Sequence, residues 1–473
     1  MAQSFNLDST SAKYKRAMQF LDERVNFERF QALPSPQREF KLDRMRALLD
    51  RLDNPQDKLP IIHVAGTKGK GSTCAMLSAL LCAAGYRTGL FTSPHLERIE
   101  ERIAIDGQPC SAHEFAQLID AVQPAVEALD RQSAAGLYEC GPTYFEIITA
   151  MALLHFVSSS VQAAILEVGL GGRLDSTNVC RPCVAVITSV SFDHTQQLGD
   201  TLAAIAREKA GIIKPGVPVV SGVTADEPRE AIRNIAQECG CRLVELEKDF
   251  RYQYHPPRNL EKQSALGSVD FSLVNPAYPL EYHDLPLSLI GRHQAANAAV
   301  AIATLNELAR QGWNISEQAI RQGLAQVHWS ARIEIVARRP VVIIDSSHNT
   351  ASIAALMDVI QESFSVDQRF LLFATTREKD YPEMLKLLLG KGTFSEVVFT
   401  QYTTNPRAVP PAELEAAAFQ LTGRHYPIYT DPAEAWNYIR QLAQADDLIC
   451  ITGSFFFAGE MRRLIFASAM TPQ

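Results

Sequence analysis

The chain has 473 residues, 47% of them hydrophobic and 21% charged, with 45 Lys plus Arg against 53 Asp plus Glu for a formal charge of -8. That is enough chain for two or three domains with their own cores, and the acidic balance argues against a nucleic-acid surface, which needs a surplus of Lys and Arg on one face. The even hydropathy lacks the ~20-residue apolar run that crosses a bilayer, Met1–Arg16 lacks the apolar core of a secretory signal, and nine scattered cysteines fit reduced thiols in the cytoplasm better than a disulfide framework.

Short runs rich in Val and Ile alternate with stretches of helical periodicity. Leu59–Ala65, Ala163–Val168, Val184–Ser189 and Val217–Ser221 read as buried strands, and Ser72–Ala84, Tyr144–Val157, Leu202–Lys209 and Pro228–Cys239 as helices. This alternation predicts a parallel sheet covered by helices, a doubly wound α/β domain. The pattern breaks over Phe250–Asp284 into hairpins or a long surface excursion, and a helix resumes over Gln294–Arg310. After His328 a second alternation begins. Its strands are expected at Ile333–Ala337, Val341–Asp345, Phe370–Ala374, Glu396–Thr400 and Asp447–Thr452, and its helices at Ala351–Phe364, Tyr381–Leu388, Pro411–Leu421 and Pro432–Gln444. The chain is therefore expected to divide into residues 1–328 and a smaller Rossmann-like α/β domain, residues 329–473. The pairs Cys180/Cys183 and Cys239/Cys241 have spacings that zinc sites use. Pro182 before an apolar run, and Gly240 after a helical stretch, make both read as packing cysteines.

Four motifs sit at strand ends. Val64–Thr73 follows a strand and opens a helix, the context of a phosphate loop: glycines let successive N–H groups face phosphate oxygens, the helix N-terminus adds partial positive charge, and Lys70 reaches the terminal phosphates. The strict P-loop pattern would place Gly at position 64 and Ser or Thr at 71, where this chain has Val64 and Gly71. Next comes Thr92-Ser93-Pro94-His95-Leu96, whose strand-end hydroxyl can ligate Mg²⁺; alone it fits a Ser-Pro turn before an amphipathic charged helix equally well. In Ile165–Asn178, Glu167 interrupts an apolar strand, and a buried carboxylate needs a cation or hydrogen bonds, so a metal is its natural partner. The fourth motif, Thr188–Thr195 with Arg207–Ile212, carries His194 and Lys209, which by themselves read as a structural histidine and a solvated lysine.

Together these features resemble the Mur ligase superfamily, and within it the folylpolyglutamate synthase and dihydrofolate synthase branch. The branch's phosphate loop, Gly-Thr-Asn-Gly-Lys-Gly-Ser, is matched except for Lys68 in place of Asn. The Thr-Ser-Pro-His-Leu block, Tyr144-Phe145-Glu146, the Gly-rich block Leu166–Asn178, Asp193-His194-Thr195, Arg207–Ile212 and Gly291–Ala299 recur in the same order, so the likeness spans nearly the whole chain. The Gly-rich block is specific for the folate branch, whereas the phosphate loop alone would indicate only the superfamily.

The resemblance implies an ATPase domain with a P-loop-type doubly wound sheet, followed by a domain that receives glutamate. It implies that Gly69, Lys70, Gly71 and Ser72 hold the ATP phosphates, that Asn297 lies near the adenine, and that Arg332 and Asp345 contact ATP. Ser93, Glu167 and His194 match magnesium positions, and the resemblance makes Lys209 a candidate for carbamylation. Thr143, Asp175 and the segment Phe27–Leu33 are the matched pterin positions, with Arg38 and Lys41 close in sequence; His348 and Ser454 match glutamate positions. In the second domain the family's Pro-Gly-Arg is replaced by Ser330-Ala331-Arg332, Asp-Gly-Ala-His-Asn-Pro by Asp345–Thr350, and Lys-Asp-Lys-Asp by Thr376–Asp380. Reactive side chains are kept while Gly and Pro are lost, which puts the loop shapes in question.

The implied reaction is ATP-dependent ligation of L-glutamate to dihydropteroate, to reduced folates, or to both. A substrate carboxylate takes the γ-phosphoryl group to become an acyl phosphate, the glutamate amine displaces phosphate, and His348 is a possible acceptor for the amine proton. Lys70 and Mg²⁺ neutralise the transferring group. The expected partners are these small molecules, with no nucleic acid and no membrane, and the expected state is a cytoplasmic monomer. The rivals are a ligase of cell-wall precursors, a folylpolyglutamate synthase with one activity only, and a nucleotide-binding regulator; retention of Lys70, Glu167 and His194 weighs against the last.

Overall fold

Strands form where β-branched and apolar residues run without a helix-period gap, and in the computed structural model, which describes residues 12–27, 42–138, 140–274, 280–390 and 393–470, these runs build the sheet centres. The first sheet has eight strands: β1 (Ile61–Ala65), β2 (Thr88–Phe91), β3 (Ile103–Ile105), β4 (Gln108–Pro109), β5 (Ala163–Glu167), β6 (Val184–Ile187), β7 (Val219–Ser221) and β8 (Leu243–Glu245), in the order β4-β3-β2-β5-β1-β6-β7-β8. From β2 to β8 all pairs are parallel, and β3 and β4 add antiparallel at one edge. Parallel strands covered on both faces must be apolar throughout, and β1, β5 and β6 are buried at every position. Helix Tyr144–Ser158 contributes Ile147, Ile148, Met151 and Phe156 to the core on one side. Helix Leu202–Ala210 and helix Asp226–Glu238 contribute Ala206, Ala210 and Ile232 to a second cluster with Ile187 and Val219.

The Phe250–Asp284 stretch forms a three-stranded sheet, β9 (Phe250–His255), β10 (Gly267–Leu273) and β11 (Leu280–Leu287), in the order β11-β10-β9. The last sheet has β12 (Glu334–Arg338), β13 (Val341–Ile344), β14 (Arg369–Phe373), β15 (Glu396–Phe399) and β16 (Leu448–Thr452), in the order β12-β13-β16-β14-β15. Only β12 runs antiparallel to its neighbour. Its core joins Ile343, Leu371, Phe373 and Cys450 to Ile353, Leu356 and Ile360 of helix Thr350–Ser363.

Packing divides the chain into two units. Unit one comprises residues 1–252, 271–282 and 296–324, and unit two residues 253–270, 283–295 and 325–473. The chain thus passes between the units several times over residues 253–325, where the sequence reading expected a single crossing after residue 328. Several elements were not anticipated. Helix Ala112–Ala134 opens on a capping box in which Ser111 Oγ accepts from Glu114 N at 3.2 Å and Glu114 Oε2 accepts from Ser111 N at 2.7 Å; Pro124 inside it hides its periodicity. Glu97–Ile103 does not form the amphipathic helix of the simpler reading. A 3₁₀ turn over Ile99–Arg102 leads into β3, and Glu101 gathers the N–H groups of Leu96, Glu97 and Arg98 at 2.8, 3.1 and 2.8 Å. Among the described residues no helix is long and apolar enough to cross a membrane.

Candidate active site

The register of the first sheet brings the strand-end motifs side by side. Val64 on β1 pairs with Glu167 on β5 and Ala65 with Ile187 on β6, while Phe91 on β2 pairs with Leu166. The loops after β1, β2, β5 and β6 therefore leave one edge, the carboxyl edge where open α/β sheets bind ligands.

The loop after β1 is held by the segment after β6. Thr67 N donates to Ser189 O at 2.8 Å, Lys68 N to Ser189 Oγ at 2.9 Å, and Thr188 Oγ1 to Lys68 O at 2.6 Å. Thr67 Oγ1 also exchanges hydrogen bonds with the Ser191 backbone, at 3.2 and 3.1 Å. Gly69 caps helix Lys70–Ala83 with φ of 81°, and a Cβ there would run into Asn297 Oδ1. Asn297 therefore packs on the phosphate loop itself. Lys70 Nζ donates to Gly66 O at 3.2 Å across the loop, and Gly71 and Ser72 lie in the first helical turn, where backbone N–H groups have no partner within the helix.

Glu167 is buried at the end of β5, and its Oε2 accepts from Ser93 N at 3.1 Å, so these two residues meet. His194, with φ of 49°, precedes a short helix and stands with Nε2 3.8 Å from Asp193 Oδ1. Lys209 is buried in helix Leu202–Ala210; desolvation first, and then the charge of Lys70, push its ammonium down to about 7, opposed by Asp193. The structure thus gathers Lys70, Asp193 and Lys209 into one electrostatic neighbourhood.

Thr143 caps helix Tyr144–Ser158: its hydroxyl donates to Glu146 Oε2 at 2.9 Å, and the same carboxylate oxygen accepts from Arg44 Nε at 2.8 Å. Asp175 is buried within the Gly-rich loop, where Oδ2 accepts from Leu170 N at 2.9 Å and Oδ1 from Thr177 N at 3.0 Å. Burial raises its carboxyl above the ordinary range, opposed by those hydrogen bonds. Of the N-terminal pterin candidates, residues 28–33, Arg38 and Lys41 lie outside the described residues.

Arg332, Asp345, His348 and Ser454 belong to unit two. Asp345 and His348 follow β13, and Ser454 follows β16 next to it, again on a carboxyl edge. Asp345 accepts from Ile333 N at 3.1 Å and from Ser347 N at 2.8 Å, which ties the turn carrying Arg332 to the strand end. His348 Nδ1 donates to Ser346 O at 2.9 Å, so Nε2 holds the lone pair of the neutral ring. The replaced glycines behave differently: Ala331 takes φ of 55°, left-handed, and Ile333 φ of 52°, whereas Ser346 needs no positive φ. Gly453 just before Ser454 has φ of 116° and approaches β14 so closely that a Cβ would lie 2.5 Å from Ala374 O.

Sequence reading missed a hydroxyl cluster beside Ser454. Thr376 Oγ1 lies 2.9 Å from Tyr402 OH and 3.5 Å from Ser454 Oγ, and all three residues are buried. Tyr402 follows β15 as Ser454 follows β16, so the strand-end rule would have found it. The histidine–carboxylate cluster His255, Asp270 and Asp284 lies in unit two, where His255 Nε2 and Asp270 Oδ2 pair at 3.0 Å.

Residues 64–305 match the Mur ligase middle domain and residues 331–455 the Mur ligase glutamate ligase domain. The chain is 36% identical over 425 residues to the dihydrofolate synthase/folylpolyglutamate synthase of Bacillus subtilis, covering 89% of this chain and 94% of that protein. Among solved structures, Mycobacterium tuberculosis folylpolyglutamate synthase complexed with ADP and AMPPCP superposes with a TM-score of 0.83 at 31% identity, over 98% of this chain and 99% of that one. Escherichia coli FolC in complex with DHPP and ADP gives a TM-score of 0.80 at 28% identity, over 98% and 100%.

Proposed function

Because the chain belongs to the dihydrofolate synthase/folylpolyglutamate synthase family of Mur ligases, ATP-dependent glutamate ligases, we propose that it joins L-glutamate both to dihydropteroate and to reduced folates. The observation that carries this reading is the carboxyl edge of the first sheet. There a phosphate loop with Lys70 stands beside the buried carboxylate Glu167, and the folate-branch Gly-rich loop follows from the same strand.

Residues 1–328 serve as the ATP- and pterin-binding part and residues 329–473 as the glutamate-binding part. Gly69 to Ser72 present N–H groups to the phosphates, Lys70 neutralises the group in transfer, and Asn297, packed on the loop, contacts the nucleotide. Arg332 and Asp345 contact ATP from the second part. Glu167, the Ser93 hydroxyl and His194 would hold Mg²⁺: a buried carboxylate and a hydroxyl are hard oxygen donors, and the ion would supply charge neutralisation at the phosphates. Lys209 is suited to carbamylation because a buried amine with its pKa near 7 is substantially neutral and nucleophilic at neutral pH. Thr143 and Asp175 face the pterin. His348 and Ser454 receive glutamate, and the Nε2 lone pair of His348 takes the amine proton as the amine attacks the acyl phosphate. The free thiols suit the cytoplasm, and we take the protein to act as a monomer.

The test is to incubate the purified protein with MgATP and L-glutamate plus, separately, dihydropteroate, tetrahydrofolate or a UDP-muramoyl peptide, and to follow ADP and product mass. Folate-dependent ADP release with a glutamate adduct on both folate substrates is expected. Product from one of them alone removes the second activity, and turnover only with the muramoyl peptide overturns the folate reading.

A further inference from the structure

Every other side chain of β1 is apolar, yet His63 stands in its middle, fully buried. A polar ring at the centre of a sheet requires hydrogen-bond partners, and here they form a chain. His63 Nε2 lies 2.8 Å from Thr177 Oγ1, and Thr177 Oγ1 donates to Asp175 Oδ1 at 2.5 Å. The Thr177 hydroxyl has one proton, and it is given to the carboxylate, so the hydroxyl accepts from the ring and Nε2 carries the imidazole hydrogen. Nδ1 is then the acceptor, and it faces Cys180 Sγ at 3.8 Å. Burial first, and the charge of Lys214 second, push the His63 imidazolium down to about 3, so the ring stays neutral at working pH and the direction of the chain is fixed.

The end of the chain is the Asp175 carboxylate. Of the hydrogen bonds that oppose its desolvation, that from the Thr177 hydroxyl weighs most, ahead of the N–H groups of Leu170, Thr177 and Gly169. The charged and titratable groups around the chain are Lys214, which donates to Asn178 Oδ1 at 2.7 Å, Cys180, and Asp57, whose charge acts on Cys180. All of them are met through His63, Cys180 or the Ser176–Val179 turn.

We propose that His63 and Thr177 are positioning residues of the folate site, which through this hydrogen-bonded chain keep Asp175 ionised and fixed in the Gly-rich loop. The proposal rests on the reading of Asp175 as a residue that faces the pterin. Losing a hydrogen bond to a carboxylate raises its pKa, so folate binding in such a variant weakens from the acid side.

The experiment measures kcat, folate KM and ATP KM from pH 5.5 to 9 for the full chain and for Thr177→Val, Thr177→Ser, His63→Leu and His63→Gln, with far-UV circular dichroism as the check of fold. Thr177→Val is expected to move the acid limb of the folate KM profile up by about one pH unit, a roughly tenfold rise in folate KM on that limb, with ATP KM unmoved. Thr177→Ser, which keeps the hydroxyl, restores the wild-type profile. His63→Gln, which keeps an N–H donor, stays nearer wild type than His63→Leu. A folded Thr177→Val with the wild-type folate profile overturns the proposal, as does a parallel change in kcat and both KM values with no pH dependence. Asp175→Asn separates the two levels: a normal folate KM in that variant removes the pterin reading of Asp175 and the proposal with it, whereas a raised folate KM there beside an unchanged Thr177→Val removes the relay alone.

Discussion

The phosphate loop of unit one and the Ser330–Ile333 turn of unit two meet the same backbone demand with different residues. Gly69 takes φ of 81° where Asn297 leaves no room for a Cβ. Ala331, at a position where the family has glycine, takes φ of 55°, and the β-branched Ile333 follows at 52°. Hydrogen bonds over-determine the second turn: Glu334 Oε2 accepts from Ala331 N at 2.9 Å, Ala331 O from Ser346 N at 3.0 Å, and Asp345 Oδ2 from Ile333 N at 3.1 Å. A left-handed residue costs about 1–2 kcal/mol when it carries a side chain, and a buried network can impose that. The contrast separates two reasons for a glycine, lack of space and backbone conformation: both act at Gly69, and only the second acts at Ala331.

One site side chain from each unit gives the largest tests. Lys70→Ala is expected to lower turnover by about 10³-fold while the circular dichroism spectrum is unchanged, since it removes charge at the transferring group and no core packing. Near-normal activity would break the phosphate-loop half of the comparison. His348→Gln should slow glutamate-dependent product formation by about 10²-fold and leave the nucleotide KM in place; an ATP KM that rises in step would move His348 from the glutamate side to the nucleotide. Gly69→Ala puts a Cβ against Asn297 in a left-handed residue, so we expect a loss of about 2–3 kcal/mol in urea unfolding and a raised ATP KM. The smallest change has the opposite sign. Ala331→Gly is expected to raise stability by about 1 kcal/mol at most, relief of strain being offset by unfolded-state entropy. A destabilisation as large as that of Gly69→Ala would erase the distinction.

Much of the candidate site was legible because its residues sit at strand ends, where an interrupted apolar run is visible: Glu167 closes β5, Asp345 follows β13, and Ser93 follows β2 by two residues. His63 was not legible. It lies inside an apolar run of β1, and its partners are more than 100 residues away in sequence. The register that makes Val64 the neighbour of Glu167 is likewise a property of the sheet order, which local periodicity does not encode. Helix Ala112–Ala134 was missed although Ser111 and Glu114 spell a capping box, because Pro124 breaks its pattern. The multiple crossings between units over residues 253–325 escaped for the same reason as the sheet order: they depend on which segments pack together.

The bonds from Thr188, Ser189 and Ser191 to the phosphate loop have a thermodynamic consequence for ligand affinity. Because they lie within the chain, the conformational entropy of arranging the loop is surrendered during folding and is absent from the free energy of nucleotide association. Cutting one of them, as Thr188→Val does, transfers that entropy from the folding equilibrium to the binding equilibrium. For the nucleotide site proposed above, affinity is therefore set partly by the segment that follows β6.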